Sequence, residues 1–190
     1  MENWEKSEQY RKYLVFFEFK EYSAYAVWGA NLEHDDQDMF LISNNKIVLF
    51  NNLRQIKLEI AKFSESFFDM HNFENWLKEE HLESPYSKII AKSLLNFASD
   101  SLDDRDLLLE ILNTLNIVQD FFIQINDVKT LKLFSDKNLV ELKDYIYNNY
   151  FWKKDDKPGK LLPKLLNYKQ VKTLLFALYN SFCSNVLLIK

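Results

Sequence analysis

Residues 1–65 constrain the fold more than any other stretch of the chain. In Tyr13-Leu-Val-Phe-Phe-Glu-Phe-Lys20 the odd positions Tyr13, Val15, Phe17 and Phe19 make an apolar face, and the even side turns polar at Glu18 and Lys20. That period of two is the mark of a half-buried strand. A second extended run, Tyr22 to Trp28, follows directly. Phe40-Leu-Ile-Ser-Asn-Asn-Lys-Ile-Val-Leu-Phe50 then reads as a hairpin, because Asn44-Asn45 can supply the left-handed backbone angles of a two-residue turn. Asn51 or Asn52 caps a helix in which Leu53, Ile56, Ile60 and Phe63 recur at helical spacing and face the sheet.

Nothing after this stretch reads as strand. Phe73–Glu80 reads as a short helix, and Ser84-Pro85 as a cap and first turn opening a helix over Tyr86–Ala98. The longest helix runs from Ser101 to about Ile125, with Leu108, Ile111, Leu112, Leu115, Val118 and Phe122 on one side. Asp127–Phe134, Asn138–Phe151 and Tyr168–Leu188 complete the set. The expected fold is α+β: a small N-terminal antiparallel sheet of about four strands, followed by a mostly helical body.

At 190 residues and 47% hydrophobic, the chain can bury a full core, and we expect one domain over 1–190. Within it, 1–65 would hold the sheet and first helix, and 66–190 the helical body. A formal charge of −4 lacks the basic footprint that phosphate contacts need, which argues against a general nucleic-acid binder. Cys183 is the single cysteine, which excludes an intramolecular disulfide framework and fits a reducing compartment. The N-terminus is polar and acidic where a signal peptide would be basic and then apolar. Leu174–Ile189 is interrupted by Asn180, Ser181, Ser184 and Asn185 and is too short to span a bilayer. The expected location is the cytoplasm, with no membrane partner.

Chemistry finds little to stand on. Gly29 and Gly159 are the only glycines, so no glycine-rich loop can hold a phosphate and no Gly-x-Ser-x-Gly elbow exists. His34-Asp35-Asp36-Gln37-Asp38 gathers ligand-type side chains but lacks the glycine and terminal glutamate of an EF-hand loop. His71 and His81 form no metal motif, and Cys183 beside Phe182 reads as a small core residue. No enzyme, cofactor or metal is expected.

Three groups remain. Glu33, Asp35, Asp36 and Asp38 form an acidic loop; Asp100, Asp103, Asp104 and Asp106 crowd the start of the longest helix, where its dipole favours them. Asn113, Asn116 and Asp120, three and four apart, form a polar stripe that suits a network tying helices together or a partner-binding edge, with the network favoured. Lys153, Lys154, Lys157, Lys160 and Lys164 lie near Tyr150 and Trp152 and could pair phosphates and stack bases, but Asp155 and Asp156 interrupt them.

Three segments together resemble a known family. They are Phe17-Glu-Phe-Lys-Glu-Tyr-Ser-Ala-Tyr-Ala-Val-Trp-Gly29, Phe40 to Leu53, and Leu112-Asn113-Thr-Leu-Asn116-Ile-Val-Gln-Asp120. The chain resembles immunity proteins of bacterial contact-dependent growth inhibition and related polymorphic toxin systems. The resemblance implies a cytoplasmic protein that binds the C-terminal domain of a cognate toxin 1:1, often a nuclease, and occludes its active site. On charge grounds alone, the contact groups would be Glu33, Asp35, Asp36, Asp38, Asp100, Asp103, Asp104 and Asp106. Two alternatives stay open: a nucleic-acid-associated regulator using the lysine-aromatic segment 147–172, and a carboxylate-based hydrolase.

Overall fold

The computed structural model describes residues 3–33, 37–60, 62–63, 69–79, 83–152 and 166–189. Contacts divide the chain into two compact units, Met1–Ile89 with Asn185–Lys190, and Ile90–Ser184. The helical unit is thus inserted into the sequence of the sheet unit.

The sheet unit opens with a helix, α1 (Asn3–Tyr10), which the sequence reading leaves out because its polar run has no apolar period. Strand β1 (Lys12–Glu18) pairs antiparallel with β2 (Ser23–Asn31), with Tyr13 opposite Trp28 and Phe17 opposite Ala24. Next come β3 (Gln37–Phe40), β4 (Ile42–Ser43) and β5 (Lys46–Phe50). The Asn-Asn turn forms as expected: Asn44 and Asn45 take φ of 51° and 59°, the left-handed values of a two-residue hairpin. Asn52 caps α2 (Leu53–Glu59) by accepting from the Gln55 N–H at 3.0 Å, and the Gln55 side chain reaches back to the Asn51 N–H.

The sheet is larger than the expected four strands and is mixed. Among the described residues it has seven, in the order β4-β5-β2-β1-β6, with β3 also on β2 and β7 on β5. β6 (Ser87–Ile89) runs parallel to β1, where the sequence reading expects the start of a helix over Tyr86–Ala98. A short ladder to Val15–Phe17 overrides the helical spacing there. Only a 3₁₀ turn, Ala91–Leu95, remains of that helix. β7 (Val186–Ile189) runs parallel to β5, where the expectation was helix to Leu188. The Ile47 N–H donates to the Asn185 carbonyl at 2.9 Å and starts that ladder. The Val-Leu-Leu-Ile run carries no polar face that would keep it helical, and a partner strand claims it.

The strands are not half-buried. On one face Leu14, Val27, Met39, Leu41, Val48 and Phe50 form a core with Ile56 of α2, with Ile60 that caps its end, and with Phe73 and Trp76 of α3 (Met70–Glu79). Leu53 and Phe63 pack against this core, so the expected helix-on-sheet layer is present. On the other face Val15, Phe17, Ala24, Ala26, Phe40, Ile47 and Leu49 are also fully buried.

Among the described residues, a charged pair lies inside the sheet unit. Lys12 is fully buried; its Nζ donates to Asp69 Oδ2 at 2.7 Å and to the Ala30 carbonyl at 2.5 Å. Burial pulls the Lys12 pKa below its ordinary 10.5, and the bond to Asp69 works against that pull. The Asp69 Oδ2 also accepts from the Leu32 N–H and from Asn72 Nδ2, which reaches the Tyr10 carbonyl as well. Gly29 stands opposite Lys12 because a Cβ there would lie 2.3 Å from the Arg11 carbonyl oxygen.

The helical unit is built on α4 (Arg105–Gln124), which buries Leu108, Ile111, Leu112, Leu115, Val118 and Phe122, as its spacing predicts. A 3₁₀ turn, Ser101–Asp103, precedes it. α5 (Val128–Phe134) and α6 (Lys137–Ile146) follow, capped by Asp127 and Asp136. The expected helix over 138–151 loosens at its end into a π-helical turn, Tyr147–Phe151. α7 (Tyr168–Ser184) buries Val171, Leu174, Leu175, Leu178 and Phe182, and Phe182 meets Phe121 edge-on at 6.1 Å.

Two predictions follow from these contacts. Asp69→Ala strands the buried Lys12 ammonium and should cost about 3–5 kcal/mol in urea unfolding, while Lys12→Met with Asp69→Leu should cost less. Hydrogen bonds from Thr130 lower the Asp127 pKa below 3.8, and bonds from Asn138 lower that of Asp136. A lowered carboxylate adds stability above its unfolded pKa and loses it as pH falls through the folded value. Wild-type Tm should therefore drop below pH 4 more steeply than that of the D127N/D136N variant, whose carboxamides still cap but do not titrate.

Candidate binding surface

The expected contact carboxylates fall in both units. Glu33 lies exposed in the turn after β2, with its N–H donating to Asn31 Oδ1 at 3.2 Å, and Asp38 sits half-buried in β3 opposite Ala30. Asp35, Asp36, His34 and His81 lie outside the described residues, as do Lys153, Lys154, Lys157, Lys160 and Lys164. His71 is exposed beside Asn75, and Cys183 is half-buried, its thiol pKa raised by burial. No group of three metal-ligating side chains occurs among the described residues, and none of their helices is long and apolar enough to cross a membrane.

The second acidic set does come together. Asp100, Asp103, Asp104 and Asp106 are all exposed at one corner of the helical unit. The chain turns there because Asp104 Oδ1 accepts from the Leu107 N–H at 3.0 Å and caps α4, and Ser101 Oγ accepts from the Ala98 N–H at 2.8 Å. The helix N-terminus carries partial positive charge, so it holds Asp104 and Asp106 favourably.

Two tyrosines from farther along the chain fix this corner. The hydroxyls of Tyr145 and Tyr150 both donate to the Leu102 carbonyl, at 3.1 and 2.7 Å. Their rings meet edge-on at 6.0 Å. Burial raises the Tyr145 pKa well above the ordinary 10.0, with Tyr150 and the Asp103 charge adding to the shift, so the group stays a donor through the physiological range. The backbone under the carboxylates is therefore held by two hydrogen bonds to one carbonyl.

The same π-helical turn exposes aromatic surface. Trp152 is 68% exposed and Phe151 52%, the two meeting edge-on at 5.0 Å. Tyr147 stacks on Trp152 at 6.1 Å and meets Phe151 at 5.5 Å. Tyr147 in turn accepts from Asn116 Nδ2 at 2.9 Å. A π-turn of this kind recurs at functional sites because it re-aims side chains out of the helical register.

Asn116 thus ties α4 to the π-turn. Asp120 lies close enough to Lys143 to raise its pKa, against a larger lowering by burial, and Lys143 donates to Gln119 at 3.0 Å. Asn113 is exposed. Asp106, Glu110, Asn113 and Asn116 follow at spacings of four and three, which aligns them along one face of α4. Sequence reasoning missed Tyr145, and it took in Tyr147 and Phe151 only as part of the lysine-aromatic segment 147–172. The adjacency of large aromatics Tyr150-Phe151-Trp152 after an amphipathic helix was the available signal.

No protein-family model matches the chain, and no curated protein does. Among solved structures, the chain is similar to the C-terminal domain of SatS, crystallised in complex with bromine. The likeness has a TM-score of 0.65 and covers 96% of each chain at 14% identity. At that identity it is a likeness of fold.

Tyr145→Phe and Tyr150→Phe each leave the Leu102 carbonyl one donor, so each should cost about 0.5–1.5 kcal/mol. The double variant orphans it, and urea unfolding should give a cost greater than the sum of the two.

Proposed function

We propose that this chain is a protein-binding inhibitor that neutralises a cognate toxin domain, a nuclease with a basic substrate cleft, by covering that cleft. The observation that carries the reading is the corner Asp100–Asp106. Its exposed carboxylates stand on a backbone fixed by the paired tyrosine bonds at Leu102. A nuclease cleft is shaped to attract a polyanion, and a rigid row of carboxylates meets it without a large ordering cost. The resemblance of the N-terminal segments and the Leu112–Asp120 helix to immunity proteins supports the same role. Complementary charge would speed encounter, and the surface would act by occlusion in the cytoplasm at a 1:1 ratio.

The test is to look for a large secreted protein encoded beside this chain and to co-express its C-terminal domain with it. Rescue of growth and a 1:1 complex by light scattering are expected; a growth-inhibiting domain that is neither captured nor relieved would sink the reading. In the complex, replacing Asp100, Asp103 and Asp106 by Lys should slow association about tenfold or more at low salt, with the difference shrinking as salt rises. An unchanged association rate would move the interface elsewhere.

A further inference from the structure

We propose that the outer edge of β7 is a pairing edge on which a second copy of this chain lays its own β7 antiparallel, Val186 of each copy opposite Leu188 of the other. Among the described residues, β3, β4, β6 and β7 each have a single neighbouring strand. Natural sheets guard such edges with short strands or with charge. β3 carries Asp38, β4 has two residues, and β6 has three, with Lys88 paired to Glu18 at 2.7 Å. β7 is twice the length of β4 and carries no charge. All four of its residues are aliphatic and only half-buried, whereas Ile47–Phe50 on its inner side are fully buried.

The phase of the β5 ladder decides what this edge offers. Ile47 stands opposite Val186, and its N–H donates to the Asn185 carbonyl. Along a strand, successive residues turn their N–H and C=O to alternate sides. Asn185, Leu187 and Ile189 therefore bond towards β5, and Val186 and Leu188 aim both groups outward. Among the described residues no loop or turn takes up those outward groups.

A strand added here has to be uncharged and aliphatic on both faces. Leu187 and Ile189 pack against the core beneath α2 and α3, and Val186 and Leu188 alternate to the opposite side. A second β7 meets both demands, with no like charges brought together. Its register is also fixed. With Leu187 on the two-fold axis, Val186 of each copy exchanges both hydrogen bonds with Leu188 of the other, and every outward group of the two residues is satisfied. Sliding by two residues would set Val186 against the end of α7 or beyond Ile189, and would leave half of these groups unpaired.

A ladder of three residue pairs covers far less than the roughly 1,200 Å² of a stable dimer, so the association should be weak, with Kd about 0.1–1 mM. The chain is then monomeric at micromolar concentration, where the co-expression test is read, and pairing through β7 does not depend on the inhibitor role.

The experiment is sedimentation equilibrium of the full chain from about 10 µM to 1 mM, with amide hydrogen exchange followed by NMR at both ends of that range. A monomer–dimer equilibrium is expected. The Val186 and Leu188 amides should slow about twofold to fivefold at the high concentration, in proportion to the dimer formed, while Leu187 and Ile189 stay protected throughout. Leu188→Pro removes an outward donor and leaves the β5 ladder its bonds, a placement that edge strands tolerate, and it should abolish the dimer. Circular dichroism checks that this variant folds; if it does not, the wild-type exchange rates decide alone. A chain still monomeric at about 1 mM, a dimer in which Val186 and Leu188 exchange as fast as in the monomer, or a dimer that survives in folded Leu188→Pro would each overturn the pairing.

Discussion

The sheet unit hangs on the ammonium of Lys12. It joins β1 to the end of β2 through the Ala30 carbonyl and to the start of α3 through Asp69, and Asn72 carries the network on to the last residue of α1. Such a group contributes less by net attraction than by what its loss would leave behind. Desolvating two ions costs several kcal/mol each, and their mutual attraction repays this only with good geometry. Asp69 Oδ1 is buried with no hydrogen-bond partner among the described residues, so within them the repayment is incomplete. The pair therefore specifies more than it stabilises. Any slip of β1 against β2 would leave Lys12 without the Ala30 carbonyl, and the missing Cβ at Gly29 lets the strands approach only in this register.

Connectivity sets a second constraint. The chain leaves the sheet after β6, forms the whole helical unit, and returns for β7. A four-residue parallel ladder must then recover the entropy of closing a long loop, which short ladders do poorly unless the loop is already compact. The helical unit is rich in local contacts, and its own folding brings residues 90 and 184 to fixed positions before β7 pairs. Local helices first and the last strand later is the order this topology favours.

The legibility of the sequence divides along the same line. Local signals were readable: Asn44-Asn45 as a turn, Asn52 as a cap, the apolar stripe of α4, and the alternation that marks β1. Non-local ones were not. Nothing in Ser87–Ile89 or Val186–Ile189 distinguishes strand from helix until the partner strand is known, because a short apolar run fits both periods. The same limit hid the support beneath the acidic corner. The Asp100–Asp106 crowding is visible as composition, whereas the two tyrosines that hold Leu102 come from more than forty residues away.

That support changes what the carboxylates can do. Acidic residues at a helix start are common and are most often a solvated end that adds a few tenths of a kcal/mol to the helix. Their use in recognition depends on whether binding must first order them. Here the cap from Asp104, the Ser101 bond to Ala98 and the paired donors on Leu102 fix the backbone in advance. The tyrosines that do the fixing lead straight into the exposed rings of Phe151 and Trp152. One set of hydrogen bonds therefore orients the backbone beneath the charged corner. Loosening it would weaken recognition through ordering cost, even with every contacting side chain still present.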